Sequence, residues 1–130
     1  MRIEELKKHF IVDETSLKAN LEELIEKTLP FCVVDTKGKV HLKTNALTAK
    51  AKIKLILVAR SIASQLDESV SAEVTIEDMA DATGIPGNQV RARVKDVVDE
   101  RFALLCARGT YKVNSHQISG FLDELSGVNS

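Results

Sequence analysis

Residues 75–113 read TIEDMADATGIPGNQVRARVKDVVDERFALLCARGTYKV, and the punctuation of this stretch sets its local architecture. Thr75 with Asp78 three residues on resembles a capping box, in which each side chain takes the other's backbone N–H at a helix start. Ile76, Met79 and Ala80 give that short helix its inner face. Gly84 suits the left-handed position that ends a helix, and Ile85 can pack back across the turn. Pro86 fits the first turn of a second helix, where a missing N–H costs nothing. Val90, Val94, Val97 and Val98 then stand at i, i+4, i+7 and i+8, the spacing of one buried stripe. Residues 102–106 and 110–113 are strand-like around Arg108-Gly109. The order is helix, turn, helix, β-hairpin.

Working outward, residues 45–66 form the longest helical pattern. Ala51, Leu55, Val58 and Ile62 share one face, and Ile53, Ile56, Leu57 and Leu66 widen it. So broad an apolar surface predicts a central, mostly buried helix, with Lys50, Lys52, Lys54 and Arg60 on a basic exposed side. Asp67-Glu68-Ser69 ends it, and Ala72-Glu73-Val74 can form a very short strand. Further back, 31–34 and 39–42 read as strands joined by Asp35-Thr36-Lys37-Gly38, where Gly38 can take positive φ. Residues 14–28 read as a helix with Leu17, Leu21, Leu24 and Ile25 in one stripe and Asp13 or Thr15 as its cap. Residues 2–9 read as a short helix with Ile3 and Leu6 on one side. Downstream, Ile118, Phe121, Leu122 and Leu125 predict a short amphipathic helix over 116–125. The fold class expected is mainly α with small β-hairpins (α+β).

The whole chain bounds what these elements can do. Its 130 residues make one ordinary domain or two very small ones, and 44% hydrophobic content suffices for an aliphatic core. The net charge of −1 gives no global attraction to nucleic acid, so any such attraction must come from a local patch. The charged start Met1-Arg2-Ile3-Glu4-Glu5 predicts no secretory leader, and the apolar run 53–59 is too short to span a bilayer. Cys32 and Cys106 make no metal spacing; buried free thiols in a cytoplasmic protein are expected rather than a disulfide. There is no Gly-rich phosphate loop, no CxxC pair and no His-x-x-x-His. His9, His41 and His116 are scattered, and the acid pairs Glu22-Glu23 and Asp99-Glu100 sit on helix surfaces. The expectation is no enzyme, no cofactor and no metal.

An internal repeat is also visible. Residues 2–34 lie on 75–107 without a gap, so that Ile3-Glu4-Glu5-Leu6 meets Ile76-Glu77-Asp78-Met79. Val12 meets Ile85, Leu17 meets Val90, and Leu21, Leu24 and Ile25 meet Val94, Val97 and Val98. Gly38 then aligns with Gly109 after a small deletion. Exact identities are few, and two helices obeying one amphipathic rule also produce such a match. The repeat divides the chain into units at 1–44 and 45–130, the first without its own leading helix. Either the helix at 45–66 serves both units or a second copy of the chain supplies what is missing.

Residues 45–125 resemble the winged helix-turn-helix DNA-binding superfamily, especially small regulators of bacterial and archaeal type. The resemblance rests on the long first helix, the 75–86 motif, the Val-patterned helix and the hairpin at 108–113. Taken with the internal repeat, it implies tandem winged-helix-like units sharing a long central helix. It also implies a transcriptional regulator that docks helix 87–101 in the major groove of double-stranded DNA and wing 107–112 on the backbone. Carried over by position, Asn88 and Gln89 have amides able to pair with adenine edges. Arg91, Arg93 and Lys95, with Arg108, Thr110, Tyr111 and Lys112 of the wing, can bind phosphates. Tyr111 can equally pack on the sheet.

Asp96 and Asp99 argue against deep contact along the whole helix, because carboxylates repel phosphate. In the first unit Thr15, Ser16, Lys18 and Asn20 are crowded by Glu14, Glu22, Glu23 and Glu26, whereas its hairpin carries Lys37, Lys39, His41 and Lys43. The alternative is a winged-helix protein-interaction module within a larger complex. Residues 73–130 favour it, with six Lys or Arg against nine Asp or Glu, a net of −3. A homodimer or a protein partner is also expected: on the DNA reading one copy makes few phosphate contacts, so a dimer or a second contacting unit is needed for useful affinity.

Overall fold

A computed structural model of the chain describes Ile3 and residues 14–128. The helix expected at 2–9, apart from Ile3, lies outside the described residues, as do Val12 and Asp13. The architecture is α+β. Helix α1 (Glu14–Thr28) leads into the hairpin β1 (Cys32–Val34) and β2 (Val40–Leu42), then into α2 (Ala49–Leu66). Strand β3 (Val74–Thr75), α3 (Ile76–Thr83), α4 (Gly87–Asp99), β4 (Ala103–Ala107) and β5 (Thr110–Val113) follow. A 3-10 turn (Ser115–Gln117) opens α5 (Ile118–Val128).

Helix α2 is the axis of the core. Ile53, Leu55, Ile56, Leu57, Val58 and Ile62 are all 5% exposed or less. Burying each such side chain contributes roughly 1.5–3 kcal/mol. The helix touches α1, α3, α4, β5 and both strands of the first hairpin. It starts later than the pattern over 45–66 suggests, because Thr48 is its N-cap and accepts the Ala51 N–H at 3.1 Å. Leu66, expected on the apolar face, is instead 61% exposed, since the helix outruns the core in its last turn.

The basic side expected of α2 is a further correction. Arg60 is folded in as a clamp: it donates to the carbonyls of Ser71 at 2.8 Å and Glu73 at 2.9 Å and meets Asp78 Oδ2 at 3.4 Å. Lys50 and Lys54 both bond to the Glu100 carboxylate, and Lys54 lies 4.9 Å from the centre of the Phe102 ring. Lysine stems cover apolar surface readily while their heads reach a partner.

The second half of the chain builds a three-stranded antiparallel sheet in the order β3-β5-β4. The Thr75–Asp78 capping box forms, both bonds at 3.1 Å, and Gly84 ends α3 in the left-handed region at φ 73°. Helix α4 ends at Asp99, two residues before the expected limit at 101, because Arg101 turns to φ 65° and redirects the chain into β4. Phe102, expected within the strand, sits just before it as a buried anchor, in edge contact with Phe121 of α5 at 5.4 Å. Asn114 ties the root of this hairpin. Its N–H donates to Phe102 O at 2.7 Å, its amide to Arg101 O at 3.0 Å, and its side-chain oxygen accepts from His116 N.

The two hairpins share one register. Cys32, Val33 and Val34 pair with Leu42, His41 and Val40, while Ala103, Leu104 and Leu105 pair with Val113, Lys112 and Tyr111. Each position in the second set stands 71 residues after its counterpart (103 − 32 and 113 − 42), so the gapless match of 2–34 on 75–107, an offset of 73, fails over 32–34, and the two-residue deletion falls before the first strand rather than in the hairpin turn. The same separation relates the bond from Lys43 N to Phe31 O with that from Asn114 N to Phe102 O. Phe31 and Phe102 are both 4% exposed and belong to one contiguous core that runs to Leu125.

Candidate nucleic-acid interface

The turn between α3 and α4 aims the second helix. Ile85 is half-buried against the core, and its N–H donates to Thr83 Oγ1 at 3.1 Å. Pro86, with φ −56°, is the N-cap of α4; no side chain caps the helix, and the N–H groups of Gln89 and Val90 both donate to Pro86 O at 3.0 Å. Val90, Val94 and Val97 are fully buried, which fixes the rotation of α4 about its own axis. Asn88, Gln89, Arg91, Arg93 and Lys95 are consequently all exposed on its outer side. At 1.5 Å per residue, Asn88 to Lys95 covers about 10 Å of helix.

The charges on that face are not equivalent. Arg93 meets Asp96 Oδ2 at 3.3 Å, one turn on, so part of its charge is already answered. Arg91 and Lys95 form no ion pair among the described residues, and neither do Arg108 and Lys112 of the hairpin. Beyond Lys95 the acids dominate. Glu100 closes the helix, and its carboxyl is held below the usual range by its hydrogen bond to Lys50, with Lys54 assisting. Lys50 and Lys54 therefore stand at the far end of α4 from Asn88, about 18 Å along the axis. They do not join the exposed cations of the first two turns.

The hairpin presents a mixed surface. Arg108 at the turn and Lys112 on β5 are exposed, whereas Thr110 and Tyr111 are half-buried. Thr110 pairs with Thr75 and Ala107, and Tyr111 lies between Val74 and Leu105 and packs against the core. Strand β4 departs from what its composition suggests. A continuous apolar run such as Ala-Leu-Leu-Cys-Ala implies cover on both sides, yet Leu104 is 44% and Leu105 61% exposed and Cys106 and Ala107 are open to solvent. Cys106 was expected to be a buried thiol and is not. Partial cover of its sulfur and the nearby Glu73 carboxylate hold the thiol above its ordinary value, against the pull of Lys112. Cys32 is buried, and burial pushes its thiol up to about 12.

In the first hairpin the cations are partly engaged. His41 Nε2 lies 2.9 Å from Asp35 Oδ2, and Lys43 Nζ donates to Leu29 O at 2.7 Å. Lys37 and Lys39 are exposed beside a polar crevice of about 180 Å³ that also includes Arg60, Asp78 and Asp81. Among the described residues no group of three His, Cys, Asp or Glu could hold a metal ion, and no helix is long and apolar enough to cross a membrane. No family model, curated protein or solved structure matches the chain.

Proposed function

We propose that this protein is a DNA-binding regulator built from tandem winged-helix-like units around α2. It uses the first two turns of α4 in the major groove and the β4–β5 hairpin on the backbone. The observation that carries this reading is the split of α4. Val90, Val94 and Val97 are fully buried, while Asn88, Gln89, Arg91 and Lys95 are exposed on its outer side. Amides there can read adenine edges, cations can pair with phosphates, and the uncapped helix start favours an anion. The strand order β3-β5-β4 behind α3 and α4 agrees with the winged-helix arrangement. The common register of the two hairpins supports the tandem reading.

A second reading, a protein-interaction module, is favoured by the apolar exposed strand β4 and the net charge of −3 over residues 73–130. Fold alone does not choose between them. Titration of the full chain with mixed-sequence duplex DNA at low and moderate salt does. Binding is expected to fall steeply with salt, and Arg91→Ala and Lys95→Ala should each reduce the salt slope by about one. Arg93→Ala should do less, because Asp96 already answers that charge. No binding at low salt excludes the DNA reading. Binding that ignores both Arg91→Ala and Lys95→Ala removes α4 from the interface.

A further inference from the structure

Among the described residues, the large apolar side chains left most exposed fall in three places. Leu29 (46%), Val33 (41%) and Leu66 (61%) surround one groove, Leu104 and Leu105 lie on β4, and Ile3 at 82% stands at the start of the chain. The groove, about 230 Å³, runs between the end of α1, strand β1 and the last turns of α2, and no charged residue lines it. Its one hydroxyl, on Thr28, already donates to Leu24 O at 2.7 Å. The helices line it at helical spacing, with Ile25 and Leu29 from α1 and Ile62, Ala63 and Leu66 from α2. Such a trough between two helices takes the apolar stripe of a third.

The surroundings of the groove are acidic. Glu22 and Glu26 stand three residues before Ile25 and Leu29 on α1, and Asp67 and Glu68 follow Leu66. Against these stands Lys43, fixed on the Leu29 carbonyl. An occupant should therefore combine apolar residues at helical spacing with basic flanks. The chain carries a sequence of this kind: Ile3, Leu6 and Phe10 stand at i, i+3 and i+7, and residues 1–10 carry Arg2, Lys7 and Lys8 against Glu4 and Glu5, a net of 3 − 2 = +1. In the single chain Ile3 is 82% exposed, so its own groove does not hold it.

We propose that the groove receives the N-terminal segment of a second copy of this chain, in a reciprocal two-fold dimer with Ile3 set between Leu29 and Leu66. Reciprocal exchange closes the assembly, since each copy gives one segment and accepts one. The rival apolar surface, β4, is a poorer self-partner. A register shift between Leu105 and Ala107 interrupts its pairing, and such irregularities blunt strand edges. The proposal is independent of nucleic-acid binding, and its readout is mass.

Sedimentation of the full chain over a wide concentration series tests it. The expected species has twice the 14.3 kDa chain mass and loosens as salt rises. Ile3→Glu and Leu66→Glu, both at exposed positions, should each return the mass to 14.3 kDa, while Leu105→Glu leaves the dimer intact. Far-UV circular dichroism checks that each variant is folded; if Leu66→Glu is not, Ile3→Glu decides alone. A parent chain at 14.3 kDa throughout overturns the proposal, as does a dimer that survives Ile3→Glu. A dimer lost only in Leu105→Glu overturns it in favour of strand β4.

Discussion

The hairpins β1–β2 and β4–β5 have the same pairing, the same left-handed glycine near the turn and the same buried phenylalanine at the root, yet opposite fates. The first lies down on the body of the protein. Gly38 is buried with the Arg60 guanidinium over it, and Val40 is 3% exposed. The second stands away, with open space around Gly109 and four of the five residues of β4 exposed. Register is thus a local property, set by turn and anchor, whereas docking is decided by side chains elsewhere in the chain. Arg60 reaches over the first hairpin, and among the described residues none lies over the Gly109 turn of the second.

The largest test of that equivalence is at the roots. Phe31→Ala and Phe102→Ala should each destabilise the fold by about 3–5 kcal/mol in urea titration. Phe102 should lie at the upper end, because it also meets Phe121 and Lys54. A cost well under that range at Phe31 alone would mean that the shared geometry has no shared energetic role. Next in size, Arg60→Met strips the donor from the carbonyls of Ser71 and Glu73 and from Asp78, which should cost about 1–3 kcal/mol. Backbone chemical shifts should then move over 35–40 and stay fixed over 104–112. Movement in both hairpins would show that they are coupled through the core.

The smallest effect separates the turns by pH. The hydrogen bond from His41, joined by those from the Lys39 and Lys37 N–H groups, holds the Asp35 carboxyl down to about 2, against an ordinary 3.8. A depressed folded-state value contributes stability above the ordinary value and loses it as pH falls toward the folded one. Amide protection at Lys37 and Lys39 should therefore fade between pH 3.8 and about 2. The β4–β5 turn has no carboxylate in this role and should not respond in that window. Parallel loss in both turns would point to general acid unfolding instead.

Legibility in the sequence followed the range of the interaction. The capping box at Thr75 and Asp78, the glycine stop at Gly84, the valine stripe of α4 and the apolar positions of α5 depend on neighbours within a few residues, and the chain states them directly. The role of Arg60 depends on carbonyls 11 and 13 residues away, and that of Lys50 on a carboxylate 50 residues away. A periodicity argument assigns such residues to solvent. Thr48 is a readable start signal for α2 that the helical pattern over 45–66 runs past. For the candidate interface, the sequence located the exposed side of α4 from the buried one. It did not distinguish Arg91 from Arg93, since that difference is the pairing with Asp96. The exposure of β4 had no signal at all, because an apolar run looks the same whether a neighbouring element covers it or not.

Asn114 gives the second hairpin a mechanical character. With its N–H, amide and side-chain oxygen all engaged, it clamps the end of β5, the chain reversal at Arg101 and the start of the C-terminal turn into one block. The hairpin is thus anchored at its root by a single side chain, and the pairing of its strands shifts register between Leu105 and Ala107, on the way to the turn. Arg108 stands at the turn, the end of the hairpin farthest from that anchor.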